Sequence, residues 1–270
     1  MKTIGFVGAG NMAEAVLQGI IQAELFAPAA VIVSDIRAER LAELHERYGV
    51  TVAKDNADLA GAADVVVLAV KPKHVPEALA SLKGQLREGA VLVSIVAGKR
   101  VDDLTAVLGD MPVIRVMPNT PALINEGASG LYANAQAQKA LPAVKAMFAC
   151  VGQAIEVDSE AQIDAVTAVS GSGPAYYYLM IDAMIEAGVQ MGLSPEVSKT
   201  LVMQTAKGAA ILAGQADKQG ESPADLTRKV ATPGGTTEAA LNGFAEGGFR
   251  ELVVAALLRA KTRSEELSVS

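Results

Sequence analysis

Between Met1 and about Asp158 the chain alternates short apolar, β-branched runs with helical patterns, and this alternation restricts its fold more than any other feature. TIGFVG, AVIVSD, DVVVLAV, AVLVSIVA, PVIRVMP and QAIEVD have the length and composition of strands. NMAEAVLQGIIQAEL follows the first of them and RAERLAELHERYG the second, with VPEALASLKGQL and VDDLTAVLG further on, all with helical spacing. Strands separated by helices imply an N-terminal Rossmann-like α/β domain with a mostly parallel, doubly wound sheet. From about Ser159 the strand signal disappears, and PAYYYLMIDAMIEAGVQMGL, SPEVSKTLVMQTAKGAAILAGQA, SPADLTRKV and GFRELVVAALLRAKTRSEEL read as helices. The expected division is therefore an α/β domain over residues 1–158 and an all-α domain over residues 159–270. Several C-terminal helices are apolar around much of their circumference, more than a domain of that size should bury alone, so a helical partner subunit is expected.

Composition narrows the partners. Hydrophobic residues make up 51% of the 270, ample for a core. A net charge of −7 with no basic block argues against nucleic acid or an anionic membrane as the main partner. The longest apolar runs, such as VVVLAV at Val65 to Val70, are too short to cross a bilayer and suit a strand buried on both faces. Cys150 is the only cysteine, which excludes an internal disulfide and a thiol-rich cluster, and no metal site is expected. Met1 and Lys2 lead straight into a strand pattern without signal-peptide character, so the expected location is the cytoplasm.

VGAGNMAEA places Gly8, Gly10 and Ala13 in a G-x-G-x-x-A arrangement between the first strand and its helix. Small residues there allow a tight turn, admit a pyrophosphate against the helix N-terminus and let the helix pack closely. Glycine-rich turns also arise for steric reasons alone; the strand-to-helix context favours the dinucleotide reading. Asp35 closes the second strand where a carboxylate accepts hydrogen bonds from the adenosine ribose, which favours NADH. Arg37, two residues on, suits a 2′-phosphate and hence NADPH, or opens a charged helix as a solvated residue. The two positions point in opposite directions, so the cofactor is read as NADPH or NADH. AVKPKH ends the third strand at the carboxyl edge, where Lys71 adds a charge near the cofactor and Pro72 stops the strand. His74 reads as a loop residue and His45 as a surface helix residue rather than as acid–base groups. In MPNTPA, Asn119 and Thr120 suit either the nicotinamide end or a turn held by Asn and Pro.

TPGGTTEAAL, Thr232 to Leu241, places two glycines and several hydroxyls before a helix-forming run. A helix start with exposed N–H groups suits a small carboxylate or phosphate, and an ordinary Thr N-cap is the alternative. In SGSGPAYYYL, Gly171, Gly173 and Pro174 suit a close approach of the long helix to the nicotinamide face or helix-start chemistry alone, and Tyr176 to Tyr178 suit interface packing.

Taken together, VGAGNMAEA, AVKPKHVPEAL, MPNTPA, SGSGPAYYYLMIDAMIEAGVQMGL and TPGGTTEAAL resemble the pyrroline-5-carboxylate reductases from end to end. The resemblance implies hydride transfer from NAD(P)H to the cyclic imine of 1-pyrroline-5-carboxylate, giving L-proline as the last step of proline biosynthesis. It implies a C-terminal dimerisation domain that interlocks two subunits, and a decamer of five dimers as a further assembly. It also implies that Gly8, Ala9, Gly10, Asn11 and Met12, with Asn56 and with Ala69, Val70, Lys71 and Pro72, line the cofactor. The substrate loop becomes Thr232 to Thr237. Backbone amides near Gly234 and Gly235 and the Thr232 and Thr236 hydroxyls would receive the carboxylate, and Thr237 would place a hydroxyl near the imine nitrogen. A substrate arriving as an iminium needs no strong catalytic base, so orientation supplies most of the rate. Asp35 departs from the neutral or basic residue many members carry in that region. LTRKV, Leu226 to Val230, departs where a basic residue commonly follows the leucine, and no role passes to Thr227 or Arg228.

A β-hydroxyacid dehydrogenase is the nearest enzymatic rival, but the position of its catalytic lysine, counted from Gly171, is Tyr177, and Ile181 stands where Asn is frequent. Alcohol oxidation would lack its proton acceptor. A non-catalytic nucleotide sensor would be expected to carry a degraded substrate loop, and TPGGTTEAAL is intact.

Overall fold

The computed structural model describes residues 1–269. Eight strands form one sheet: β1 (Ile4–Val7), β2 (Val31–Ser34), β3 (Thr51–Val52), β4 (Val65–Leu68), β5 (Val91–Ser94), β6 (Val113–Met117), β7 (Gly127–Ala133) and β8 (Gly152–Glu156). Their order is β3-β2-β1-β4-β5-β6-β7-β8, and every neighbouring pair is parallel except β6 with β7. Chain order reverses beside β1, between β2 and β4, which makes a doubly wound sheet with its switch point at the end of β1.

The apolar strands are apolar throughout because both faces are covered. Ile4 and Phe6 of β1, Val65 and Val67 of β4 and Val91 and Val93 of β5 enter one core. That core is completed by α1 (Asn11–Gln22), α2 (Ala38–Tyr48) and α6 (Leu141–Ala149). Val7, Val66, Leu68 and Leu92 point the other way, into a second core under α3 (Asn56–Ala62), α4 (Val75–Leu82) and α5 (Val101–Leu108). Alternate residues of one strand thus stabilise opposite layers, each fully buried aliphatic side chain contributing about 1.5–3 kcal/mol.

All the strand segments read from the sequence appear, with two additions. β3 is two residues long, and β7, GASGLYA, carries two glycines and no β-branched residue. Its Gly130 lies under Val166, where a Cβ would come within 2.6 Å of Val166 Cγ2, so packing rather than propensity sets that strand. The short helices α3, α6 and α7 (Gln162–Val166) are further additions. α7 runs through a π-helical turn, Thr167–Gly171, into α8 (Gly173–Gln190).

The remaining helices are α9 (Pro195–Asp217), α10 (Pro223–Val230), α11 (Thr236–Glu246) and α12 (Phe249–Val269). Serines stop and start them: Ser194 caps α9, accepting from the Val197 N–H, and Ser222 and Asp225 form a capping box on α10. Packing divides the chain into Met1–Pro174 with the segment from Leu258 onward, and Ala175–Leu257. In the first unit the last turns of α12 are tied down where Ser264 Oγ donates to the buried Asp164 Oδ1 at 2.7 Å. The second unit is helical throughout, and Tyr177, Leu179 and Met191 are 74%, 72% and 78% exposed. No helix among the described residues is long and apolar enough to cross a membrane.

Candidate active site

The turn after β1 lies at the switch point of the sheet. Gly8 has φ +96, its N–H donates to the Ser34 carbonyl at 2.8 Å, and a Cβ there would sit 2.8 Å from the Ala69 carbonyl oxygen. Only glycine meets both conditions. Gly10 is different: φ is −72, and a Cβ would meet nothing within 4 Å. That open space lies at the N-cap of α1, and no side chain caps the helix. First-turn amides without a side-chain acceptor, fronted by a glycine, fit a dinucleotide pyrophosphate.

Both oxygens of Asp35 are heavily engaged. Oδ2 accepts from the Ala9 N–H at 2.8 Å and Arg37 Nη2 at 3.1 Å, and Oδ1 from the Arg37 N–H at 3.0 Å and Nε at 2.9 Å. Burial pushes this carboxyl upward, but the Arg37 and Ala9 donors outweigh it and hold it below the ordinary carboxylate range. A carboxylate has about four acceptor sites, so a ribose hydroxyl could reach Asp35 only by displacing a present donor. Arg37 lies outermost, its side chain 57% exposed against 9% for Asp35.

Asn56 opens α3 and spends its amide on architecture, accepting from Ser34 Oγ at 2.7 Å and donating to Ser81 Oγ at 2.9 Å. Ala69 continues the β4 ladder by donating to the Val7 carbonyl at 2.8 Å, Val70 packs against the second core, and Lys71 is exposed before Pro72 starts a short 3-10 turn. Met12 packs against the first core and Asn11 is exposed. Asn119 is buried, donating to the Ser170 carbonyl at 3.1 Å and accepting from the Ala128 N–H at 2.9 Å, so its amide joins β7 to the π turn. His45 Nδ1 lies 2.7 Å from the Val50 carbonyl oxygen, and His74 sits in the 3-10 turn before α4.

Sequence reasoning missed Glu14, Arg40 and Tyr48. Arg40 Nε donates to the Ala9 carbonyl at 2.9 Å and its other nitrogens to Glu14 and Glu43, while Tyr48 Oη donates to Glu14 Oε1 at 2.9 Å. Burial raises the Glu14 pKa, but Arg40, Tyr48 and Arg47 outweigh it and leave it lowered. An acid in the first turn of α1, just after the glycine motif, was the available signal, since such a charge needs partners.

In the helical unit, Thr232 to Gly235 form a turn closed by the Gly235 N–H donating to the Thr232 carbonyl at 3.0 Å. Pro233 and Gly234, with φ +72 at Gly234, give the arrangement of a type II turn. Gly235 then serves as N-cap of α11. Closing the turn consumes the Gly235 amide, and the Gly234 N–H donates to Glu238 Oε2 at 2.8 Å. The amides of Thr236 and Thr237 open the helix and have no acceptor within it. Thr232 and Thr236 are exposed and Thr237 is half-buried. A small anion would meet these amides and hydroxyls with one competitor already present, the Glu238 carboxylate.

Known proteins match both halves. A family model described as "Pyrroline-5-carboxylate reductase dimerisation" matches residues 160–267, and one described as "NADP oxidoreductase coenzyme F420-dependent" matches residues 3–98. A pyrroline-5-carboxylate reductase of Pseudomonas aeruginosa is 46% identical over 267 residues, covering 98% of this chain and 96% of its own. One from Arabidopsis thaliana is 38% identical, covering 99% and 96%. Among solved structures, a pyrroline-5-carboxylate reductase from Coxiella burnetii superimposes with a TM-score of 0.93 at 37% identity, covering 99% of this chain and 98% of its own.

Proposed function

The chain belongs to the pyrroline-5-carboxylate reductase family, and from that we propose that it reduces 1-pyrroline-5-carboxylate to L-proline with NADPH or NADH. The observation that carries the reading is the glycine turn open at Gly10; within the helical unit, the Pro-Gly turn opening α11 supports it separately. A dinucleotide held at this turn would supply a hydride, a proton with two electrons, to the carbon of the C=N bond. The protein's residues bind and orient. Gly8 to Met12 hold the pyrophosphate, the Gly234, Thr236 and Thr237 amides with the Thr232 and Thr236 hydroxyls hold the substrate carboxylate, and the Thr237 hydroxyl oxygen accepts from the N–H of the ring iminium. As the C=N carbon gains hydride, the π electrons become the nitrogen lone pair. An iminium therefore becomes the neutral secondary amine without a catalytic base, and water protonates the product. Neither histidine is given a proton-transfer role.

The exposed apolar faces of Tyr177, Leu179 and Met191 support a homodimer formed through residues 159–270, and the dimerisation family matched there supports the same reading. A decamer of five dimers and a cytoplasmic location complete the proposal.

Steady-state rates with pyrroline-5-carboxylate and each of NADPH and NADH, set beside 3-hydroxyacids with NAD+ and NADP+, test the reaction. Turnover of only the hydroxyacids would reverse it. The loop gives a second expected result. Substrate carboxylate must displace Glu238 from the Gly234 amide and lie beside its charge, so Glu238→Gln should lower the KM for the imine about fivefold. That corresponds to ~1 kcal/mol of exposed like-charge repulsion. A raised KM would show that Glu238 assists binding instead.

A further inference from the structure

Two successive peptide groups of the phosphate turn are held from outside it. The N–H of the Gly8–Ala9 peptide donates to Asp35 Oδ2 at 2.8 Å, and the carbonyl of the Ala9–Gly10 peptide accepts from Arg40 Nε at 2.9 Å. Both partners come from the segment that leaves β2 and enters α2. In a planar trans peptide the carbonyl and the N–H point in opposite directions, so fixing the Ala9 oxygen also fixes the direction of the Gly10 N–H. The Gly10 amide is the one beside the open space at the start of α1.

Arg40 is itself anchored. Its side chain is 13% exposed; Nη1 donates to Glu43 Oε2 at 2.7 Å and Nη2 to Glu14 in α1. Glu14 Oε1 also accepts from Arg47 Nη1 at 2.7 Å and Tyr48 Oη at 2.9 Å, and Arg47 Nη2 donates to Glu43 Oε1 at 2.8 Å. The guanidinium therefore bonds through all three nitrogens, one to the turn and two to carboxylates on different helices. A lysine ammonium, a single point charge, cannot span the same acceptors.

We propose that Arg40 is a positioning residue for the dinucleotide: held by Glu14 and Glu43, it fixes the Ala9 carbonyl and so aims the Gly10 amide at the pyrophosphate, whichever adenosine end the dinucleotide carries. The inference rests on the reading of this turn as the cofactor site but not on the imine substrate, because its test contains no imine. Preorganised amides bind more tightly because the ordering cost is met before the ligand arrives. The same arginine offsets the Glu14 charge, which would otherwise stand near the incoming anion.

The test is calorimetric titration of the full-length protein with NADP+, NAD+ and 2′-AMP, which carries the adenosine 2′-phosphate but no pyrophosphate. Arg40→Met should weaken NADP+ and NAD+ by the same factor, about tenfold, and leave 2′-AMP unchanged. Arg40→Lys keeps the charge and should show nearly the same loss, and it retains the test if the methionine variant fails to fold. Unchanged dinucleotide affinity overturns the proposal. So does a loss confined to NADP+ and 2′-AMP, which would make Arg40 a direct 2′-phosphate contact, a general loss that includes 2′-AMP to the same degree, or full restoration by lysine.

Discussion

Gly10→Ala is expected to leave the protein folded and to lower its affinity for NADP+ and NAD+ about a hundredfold, whereas Gly8→Ala should damage fold and binding together. The two glycines of one motif differ in what surrounds them. Gly10 has a φ that alanine adopts freely, and its missing Cβ faces empty space, where the proposed pyrophosphate contact would lie. Gly8 has φ +96, and its missing Cβ faces the Ala69 carbonyl oxygen at 2.8 Å. A side chain there combines a disfavoured conformation with a backbone collision, at about 2–3 kcal/mol or more. Thermal unfolding separates the two cases, and titration with each dinucleotide measures the binding loss. A Gly10→Ala protein that binds NADP+ normally would remove the turn from the cofactor site.

Thr237→Ala should reduce kcat/KM for the imine roughly a hundredfold while dinucleotide affinity stays within about twofold of wild type. Thr237 is the second residue of α11, half-buried, and its hydroxyl makes no hydrogen bond within the described residues. In the proposed role, the hydroxyl oxygen accepts from the iminium N–H and so orients the C=N bond for hydride approach, a gain lost with the hydroxyl. Thr237→Ser keeps the hydroxyl and should recover most of the rate, which separates hydrogen bonding from lost packing. A Thr237→Ala enzyme with normal kcat/KM would discard the role while leaving the reaction in place.

The fold was legible where pattern and burial agree. Strands such as VVVL read as buried on both faces because they are, each alternate valine entering a different core. GASGLYA was not legible as a strand, because two glycines weaken its propensity and its place depends on Val166, thirty-odd positions on. Gly8, Gly10 and the Pro-Gly turn were visible because their chemistry is local. Arg40 was not, because nothing in ERLAEL says that its guanidinium will meet a carbonyl on another element.

The amino-acid order by itself determined the alternation of strand and helix, the glycine turn and the hydroxyl-rich loop, since each follows from backbone freedom and side-chain period over a few residues. Tertiary structure alone decided how the polar groups are spent. Asp35 is turned toward Arg37 and Ala9, Asn119 ties β7 to the π turn, and Glu238 occupies the Gly234 amide. The physical reason is that a hydrogen bond depends on distance and direction in space, and its energy passes to whichever partner the folded chain brings within about 3 Å.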